Sequence, residues 1–445
     1  MSAPLGRLAR CSLNCETPSG EFDVPYSALM TRRVVIHIGP PKTGSTTLQD
    51  ALRDNRDDLK RAGIRYAGSG TQSSAAAMWA TRRKDRTTGR QVPASAWKQL
   101  LKEINDSIES TVVVSSEWFA AATSAQIRTI SQELPGAEYQ IVIALRSLDR
   151  ILPSRWRQNV IEGATYSFTE WLELIFSPNT NPYGTRFWHQ HRHDELVQRW
   201  GEVFGQRAIT AICVDDADPD RLLRHMESLI GAVEGALGTR RHVRNVSLDG
   251  VTVEGIRRFN VLAEEHGVPP ELRYLAVTRG AVPQIEQHVQ SDGSTAGRVP
   301  AQYADRCVAE STRIVEGLRA SGATILGTLD ALIVDRNRFE QVSQSASKDD
   351  ERRSNILAHA LSGQLRALGL ISLKATDHEG YVPGVMDGFG SPRETTPQGQ
   401  ARHLVAAVRS ARLGVRTLVL LALNLLGLGV RELLRKIAQR LRSRS

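Results

Sequence analysis

Between residues 32 and 216 the chain alternates short, β-branched apolar runs with stretches of helical periodicity. "RRVVIHIG", "STVVVSSEWF", "EYQIVIALR" and "AITAICVDD" have the length and the Val/Ile content of buried strands. Leu48, Leu52 and Leu59 repeat at helical spacing after Ser45, and Gly63 closes that run. Further helical patterns cover 97–109, 150–163, 167–176, 191–204 and 218–231. Strands alternating with helices predict an α/β fold, a parallel sheet with helices on both faces. Residues 69–94 are polar and aromatic-poor and read as a long loop. Beyond Arg244 the pattern is helical to about residue 335. A polar linker covers 341–354, a helix is expected over 355–371, and the Gly, Pro, Asp and Thr of 375–400 read as disordered. The organisation is a flexible leader (1–31), an α/β domain with a mostly helical C-terminal part (32–340), a linker with one helix (341–400) and a tail (401–445).

Composition adds one correction to a first impression. The 445 residues are 41% hydrophobic, enough for a sizeable core, and the net charge of +9 invites a nucleic-acid partner. Residues 401–445, however, carry ten Arg or Lys against the single acid Glu432, so the other 400 residues sum to zero. The basicity belongs to the tail, and no nucleic-acid partner is expected. Within it, "LGVRTLVLLALNLLGLGV" is apolar but interrupted by Arg416 and Asn424. Arg409, Arg412, Arg416, Arg431 and Arg435 gather on one side of a helix. This fits a helix lying in an anionic membrane surface, with a docking helix in an oligomer or a membrane span as alternatives. Cys11, Cys15, Cys213 and Cys307 form no C-x-x-C pair, and the first 30 residues lack the apolar run of a signal peptide. Both point to the cytoplasm, peripheral to the membrane's inner face.

"HIGPPKTGSTT", His37 to Thr47, joins the first strand to the first helix. Gly39 and Gly44 are spaced as in the nucleotide loop G-x-x-x-x-G-K-[ST], and Thr46 fills the hydroxyl position. Ser45 occupies the lysine slot, and the lysine stands earlier, at Lys42. A glycine-rich turn at a helix N-terminus presents N–H groups and positive potential to a phosphate. An NTPase or small-molecule kinase also needs the late lysine and a strand ending in a metal-binding Asp. Neither is found, so that reading stands as the alternative.

"GPPKTGSTTLQ" resembles the 5′-phosphosulfate-binding loop of the sulfotransferases, whose donor is 3′-phosphoadenosine 5′-phosphosulfate (PAPS). That loop has lysine at the early position, followed by T-G-[ST]-[ST]. The family also carries an Arg at a strand end and a Ser eight residues on, both contacting the donor's 3′-phosphate. In "LRSLDRILPSRW", Arg146 and Ser154 stand at that separation. "SSEWF", "RSLDRILPSRWRQNV", "YSFTEWL", "FWHQHRHDELVQRWGEVFG" and "NVSLDGVTVEGIRRFN" follow the order seen in bacterial, especially actinobacterial, sulfotransferase-like proteins, across roughly residues 32–335.

The resemblance implies a P-loop-type sheet and transfer of a sulfuryl group from PAPS, with no metal required, to a hydroxyl or amine acceptor. That acceptor would be a carbohydrate or a lipid-linked metabolite. It implies Pro41, Lys42, Thr43, Gly44, Ser45, Thr46 and Thr47 around the 5′-phosphosulfate, Lys42 beside the bridging oxygen, and Arg146 with Ser154 on the 3′-phosphate. The late GxxGxxK element of animal cytosolic members is missing, which leaves Arg155, Arg157 or Arg244 for a third contact.

A general base is needed for the acceptor's proton. Glu117, at the expected end of the second strand, is the candidate, with a structural cap or ion pair as the alternative. His37 reads as a packed strand residue. His189, His191 and His193 alternate, which scatters them around one helix, so no metal site is expected. The start of that helix is expected to contribute to the acceptor pocket, with Trp200 and Phe204 in the core. Ser247 in "NVSL" reads as a helix N-cap, and Asn245 belongs to the same recurring element. A non-catalytic, membrane-tethered nucleotide-binding protein is the remaining alternative, tenable if Lys42 and Glu117 are dispensable.

Overall fold

A computed structural model describes residues 32–339 except 86–89, 178, 216, 219, 239–247, 284 and 286–297, together with 350–355, 357, 358 and 361. The leader, most of the linker, the tail, Arg244, Asn245 and Ser247 lie outside the described residues. Six strands form one parallel sheet: β1 (Arg33–Ile38), β2 (Ile64–Tyr66), β3 (Thr111–Ser115), β4 (Glu138–Leu145), β5 (Ile209–Cys213) and β6 (Thr324–Leu326), in the order β2-β3-β1-β4-β5-β6. The α/β expectation holds. Among the described residues no helix is long and apolar enough to cross a membrane.

Alternate strand residues face opposite layers, as the pleat requires. Val34, Ile36, Ile38, Val112, Val114, Ile141, Ile143 and Leu145 face a thick layer. It is built by α3 (Ser74–Ala80), α4 (Ala94–Asp106), α5 (Ser124–Glu133), α6 (Leu148–Ile161), α7 (Phe168–Ile175), α8 (Pro182–His191), α9 (His193–Phe204), α11 (Gly250–Glu265) and α13 (Ala304–Ala320). Val35, Val113, Val142 and Ala144 face a thin layer of α1 (Ser45–Asp54), α2 (Arg56–Arg61) and α10 (Arg221–Ile230). A short α12 (Pro270–Leu275) follows α11.

Several expectations need correction. The run from Ser45 to Gly63 is two helices, broken at Asn55, whose side-chain amide donates to the Ala51 carbonyl at 2.9 Å. The supposed loop 69–94 contains α3, small residues whose Trp79 stacks on Trp97 of α4 at 6.1 Å. The pattern at 191–204 is preceded by a separate helix, α8, started by Asn181 and Pro182. The strands β2 and β6 were too short, at three residues each, to declare a period. The helix α11 is capped by Asp249, which accepts from Thr252 N–H at 2.6 Å; the expected cap, Ser247, lies outside the described residues. Trp200 and Phe204 do stack, at 5.7 Å, with Trp200 fully buried.

After β1 the chain first builds one side of the sheet (β3, β2) and then the other (β4, β5, β6). The order therefore reverses between the carboxyl ends of β1 and β4, where open parallel sheets bind their ligands. The 39–44 loop leaves β1 and Arg146 leaves β4 at that edge.

Candidate functional site

The 39–44 turn is tightened by three local devices. Gly44 has φ +89° and precedes α1, Lys42 itself has φ +74°, and Thr43 Oγ1 donates to the Pro40 carbonyl at 2.8 Å. A non-glycine residue in the left-handed region carries backbone strain of about 1–3 kcal/mol, and such strain concentrates at ligand sites. Gly39 is sterically obligatory: a Cβ there would lie 1.7 Å from Ser45 Oγ and 3.1 Å from His37 Cε1. No side chain caps α1, so its first-turn N–H groups at Ser45, Thr46 and Thr47 are available to an anion. Thr46 and Thr47 are exposed, whereas the Ser45 hydroxyl is buried without a hydrogen-bond partner. A buried, unpartnered hydroxyl in a turn of this shape fits a ligand oxyanion.

Lys42 Nζ donates to Gln158 Oε1 at 2.9 Å, and Gln158 Nε2 donates to Glu162 Oε1 at 3.1 Å. The Glu162 carboxylate accepts only, so it fixes which end of the Gln158 amide faces Lys42. Ser154, Gln158 and Glu162 recur every four residues along α6 and its C-terminus, opposite the buried Leu152, Trp156 and Val160. Burial holds the Lys42 ammonium below the ordinary lysine range, and the Glu117 carboxylate opposes that shift.

Glu117 does not end β3 as expected. Pairing stops at His37 opposite Ser115, Ser116 caps the next turn by accepting from Trp118 N–H at 3.4 Å, and Glu117 opens a 3₁₀ turn, Glu117–Ala121. Phe119 anchors that turn edge-on against Trp200 at 6.3 Å. The carboxylate still lies at the sheet's ligand edge and is pushed above the usual carboxylate range, first by burial, with Lys42 and Arg155 pulling it back. Lys42 and Glu117 feel each other without forming a contact ion pair among the described residues.

Arg146 Nη1 donates to the Lys42 carbonyl at 3.2 Å, so the residue closing β4 is tied directly to the loop after β1. Ser154 sits half-buried in the second turn of α6. Arg157, on the same helix, has a buried Nη1 without a partner, and its guanidinium is held below its ordinary range by burial and by the like charge of Arg146. Two neighbouring guanidiniums, one of them short of a partner, form a setting for a multiply charged oxyanion.

A cleft of about 540 Å³ opens between the Ala121 end of the 3₁₀ turn and α8. Its wall includes Arg83, Thr123, Asn181, Thr185, Arg186, His189 and Gln190. Arg83 lies over the Trp118 ring at 4.9 Å and acts on the Glu117 carboxylate, which links cleft and loop. His189 reaches the Ala121 carbonyl at 3.3 Å, whereas His191 and His193 are buried in the core. Across the helix break at Arg192 the His191 and His193 rings meet edge to face at 6.4 Å, while His189 lies apart in the cleft wall. Among the described residues no group of three or more His, Cys, Asp or Glu is disposed to hold a metal.

No family model, curated protein or solved structure matches this chain.

The sequence reading did not single out Gln158, Glu162, Arg83 or Gln190. The four-residue stripe on α6 was the available signal for the first two. The cleft residues come from segments a hundred residues apart and leave no local pattern. His37 is fully buried, as expected of a packed strand residue, but its ring sits directly behind the loop.

Proposed function

We propose that the protein is a sulfotransferase of P-loop type that transfers a sulfuryl group from PAPS to a hydroxyl, or less favourably an amine, acceptor. The observation that carries this reading is the contact between Arg146 and the Lys42 carbonyl, which unites the two elements of the resemblance 104 residues apart. The loop with lysine at its crest and the strand-end arginine serve the two phosphates of one ribose. ATP has no second phosphate of that kind.

In this reading Gly44, Ser45, Thr46 and Thr47, flanked by Pro41 and Thr43, hold the 5′-phosphate with N–H groups and hydroxyls. Arg146 and Ser154 hold the 3′-phosphate, and Arg157 supplies the third contact. Sulfuryl transfer is an in-line displacement like phosphoryl transfer, so catalysis rests on positioning and on charge stabilisation. The acceptor oxygen bonds to sulfur, the bond from sulfur to the bridging oxygen breaks, and adenosine 3′,5′-bisphosphate leaves. Lys42 neutralises the charge gathering on that oxygen. Glu117, its proton affinity raised by burial, takes the acceptor's proton. Gln158 and Glu162 are positioning residues that aim the ammonium. The basic tail bears on location and not on chemistry, and we assign it to an anionic membrane surface.

Calorimetric titration with adenosine 3′,5′-bisphosphate, and separately with ATP and Mg²⁺, tests the reading. Tight bisphosphate binding that weakens at least tenfold in Arg146→Ala is expected. Binding of ATP with Mg²⁺ and none of the bisphosphate would overturn it in favour of a kinase or NTPase.

A further inference from the structure

We infer that the cleft between the 3₁₀ turn and α8 is the acceptor site and that it selects a hydroxylated molecule carrying an anionic group. The inference rests on the sulfuryl-transfer reading for the word acceptor, but the binding preference stands on the cleft alone. Three observations carry it.

The first is Gln190. It is only 4% exposed, it lines the cleft, and its side-chain amide has no hydrogen bond among the described residues. A nearly buried amide whose remaining exposure is to a cleft is a donor and acceptor pair set for a ligand, and sugar-like hydroxyls satisfy both ends. The second is the lining chemistry. Thr123, Asn181 and Thr185 add hydroxyl and amide groups, and no Asp or Glu is among the described lining residues. The third is charge. Arg83 and Arg186 both line the cleft and bring two positive charges to its wall. Arg186 also acts on Tyr166, which feels Arg155 and Glu162 as well, so the cationic end of the cleft continues toward the loop. Tyr166 and Tyr183 meet edge to face at 5.6 Å along that path. A neutral sugar would use the hydroxyls and amides and gain nothing from the two positive charges. A carboxylate or phosphate ester on the same ring engages both sets.

Four probes of one ring shape separate the cases: glucose, glucosamine, glucuronate and glucose 6-phosphate, titrated calorimetrically into the full chain saturated with adenosine 3′,5′-bisphosphate. The two anions are expected to bind at least tenfold more tightly than glucose, and glucosamine more weakly than glucose. The ratio between the two anions tells carboxylate from phosphate. Arg186→Gln should weaken the anions about tenfold and leave glucose unchanged, whereas Gln190→Leu should weaken all the probes alike. Equal affinities, tighter glucosamine, an unchanged preference in Arg186→Gln, or no binding of any probe would overturn the inference. If the bisphosphate itself does not bind, the same titrations run on the free protein still report on the cleft. Failure of the transfer reading and failure of the acceptor inference thus give different results.

Discussion

His37 Nδ1 lies 2.8 Å from Ser115 Oγ, and the same hydroxyl accepts from Gln49 Nε2 at 3.1 Å. When Ser115 turns its proton to His37 Nδ1, the imidazole proton lies on Nε2. That nitrogen is buried without a protein partner, and the ring edge beside it faces Gly39 and Ser45. Burial lowers the His37 pKa from 6.5 to about 4. The unfolded chain therefore binds more protons between these values. The contribution to stability is full above pH 6.5 and falls away as the pH drops toward 4, by on the order of 3 kcal/mol in all. His193, also lowered to about 4, acts in the same direction. Urea unfolding at pH 7.5 and pH 5 should show a marked loss for the parent protein and about 2 kcal/mol less loss for His37→Gln. An identical pH dependence in the variant would contradict the assignment.

Lys42 combines a strained backbone with a buried ammonium. Lys42→Ala and Lys42→Gly both remove the ammonium and differ in the cost of a φ of +74°. The glycine variant should be the more stable by about 1 kcal/mol in chemical denaturation. Both should lose about 10²–10³-fold in turnover with PAPS, the cost of removing one charge-stabilising donor. Turnover retained by the glycine variant would show that the strain serves something other than presenting this side chain.

Gly39→Ala places a methyl group against Ser45 Oγ at 1.7 Å and Ser45 Cβ at 2.9 Å. The expected cost is about 1–3 kcal/mol of stability, with loss of bisphosphate binding. Adding Ser45→Ala removes the first clash and not the second, so the double variant should recover part of the stability. Full recovery, read from thermal melts, would mean that the loop relaxes more freely than its geometry indicates.

Arg157 offers a test in which two readouts move in opposite directions. Its buried Nη1 lacks a partner and its charge opposes Arg146, so Arg157→Met should raise the melting temperature of the ligand-free protein. The same change should weaken adenosine 3′,5′-bisphosphate about 10- to 100-fold, the worth of one charge-assisted hydrogen bond. A variant that is both less stable and unchanged in binding would assign Arg157 to the scaffold.

The four long strands, the turn after β1 and the strand-end position of Arg146 were legible because each is written in one contiguous stretch. Period, β-branching and glycine spacing are local signals. The shorter strands β2 and β6 depend on neighbours already in place and carry no period of their own. Glu117 was placed at the right edge of the sheet but in the wrong element, since β3 ends at Ser115, its last residue paired with β1. The Gln158 to Lys42 contact spans 116 residues, and the cleft draws on segments around 83, 121 and 186. Such features depend on which elements the sheet order brings together, and that order becomes evident only after folding.

The central place of β1 also has a consequence for the timing of folding. Its hydrogen-bonding neighbours are residues 111–115 and 138–143, so the strand that leads into the loop is completed only by chain synthesised much later. Long-range parallel pairing of this kind is slow, because loop closure precedes the contacts that reward it. On the ribosome, the loop cannot acquire its final shape until about a hundred further residues have emerged. Nucleotide binding by a nascent chain would therefore report the completion of the sheet and could not serve as its starting nucleus.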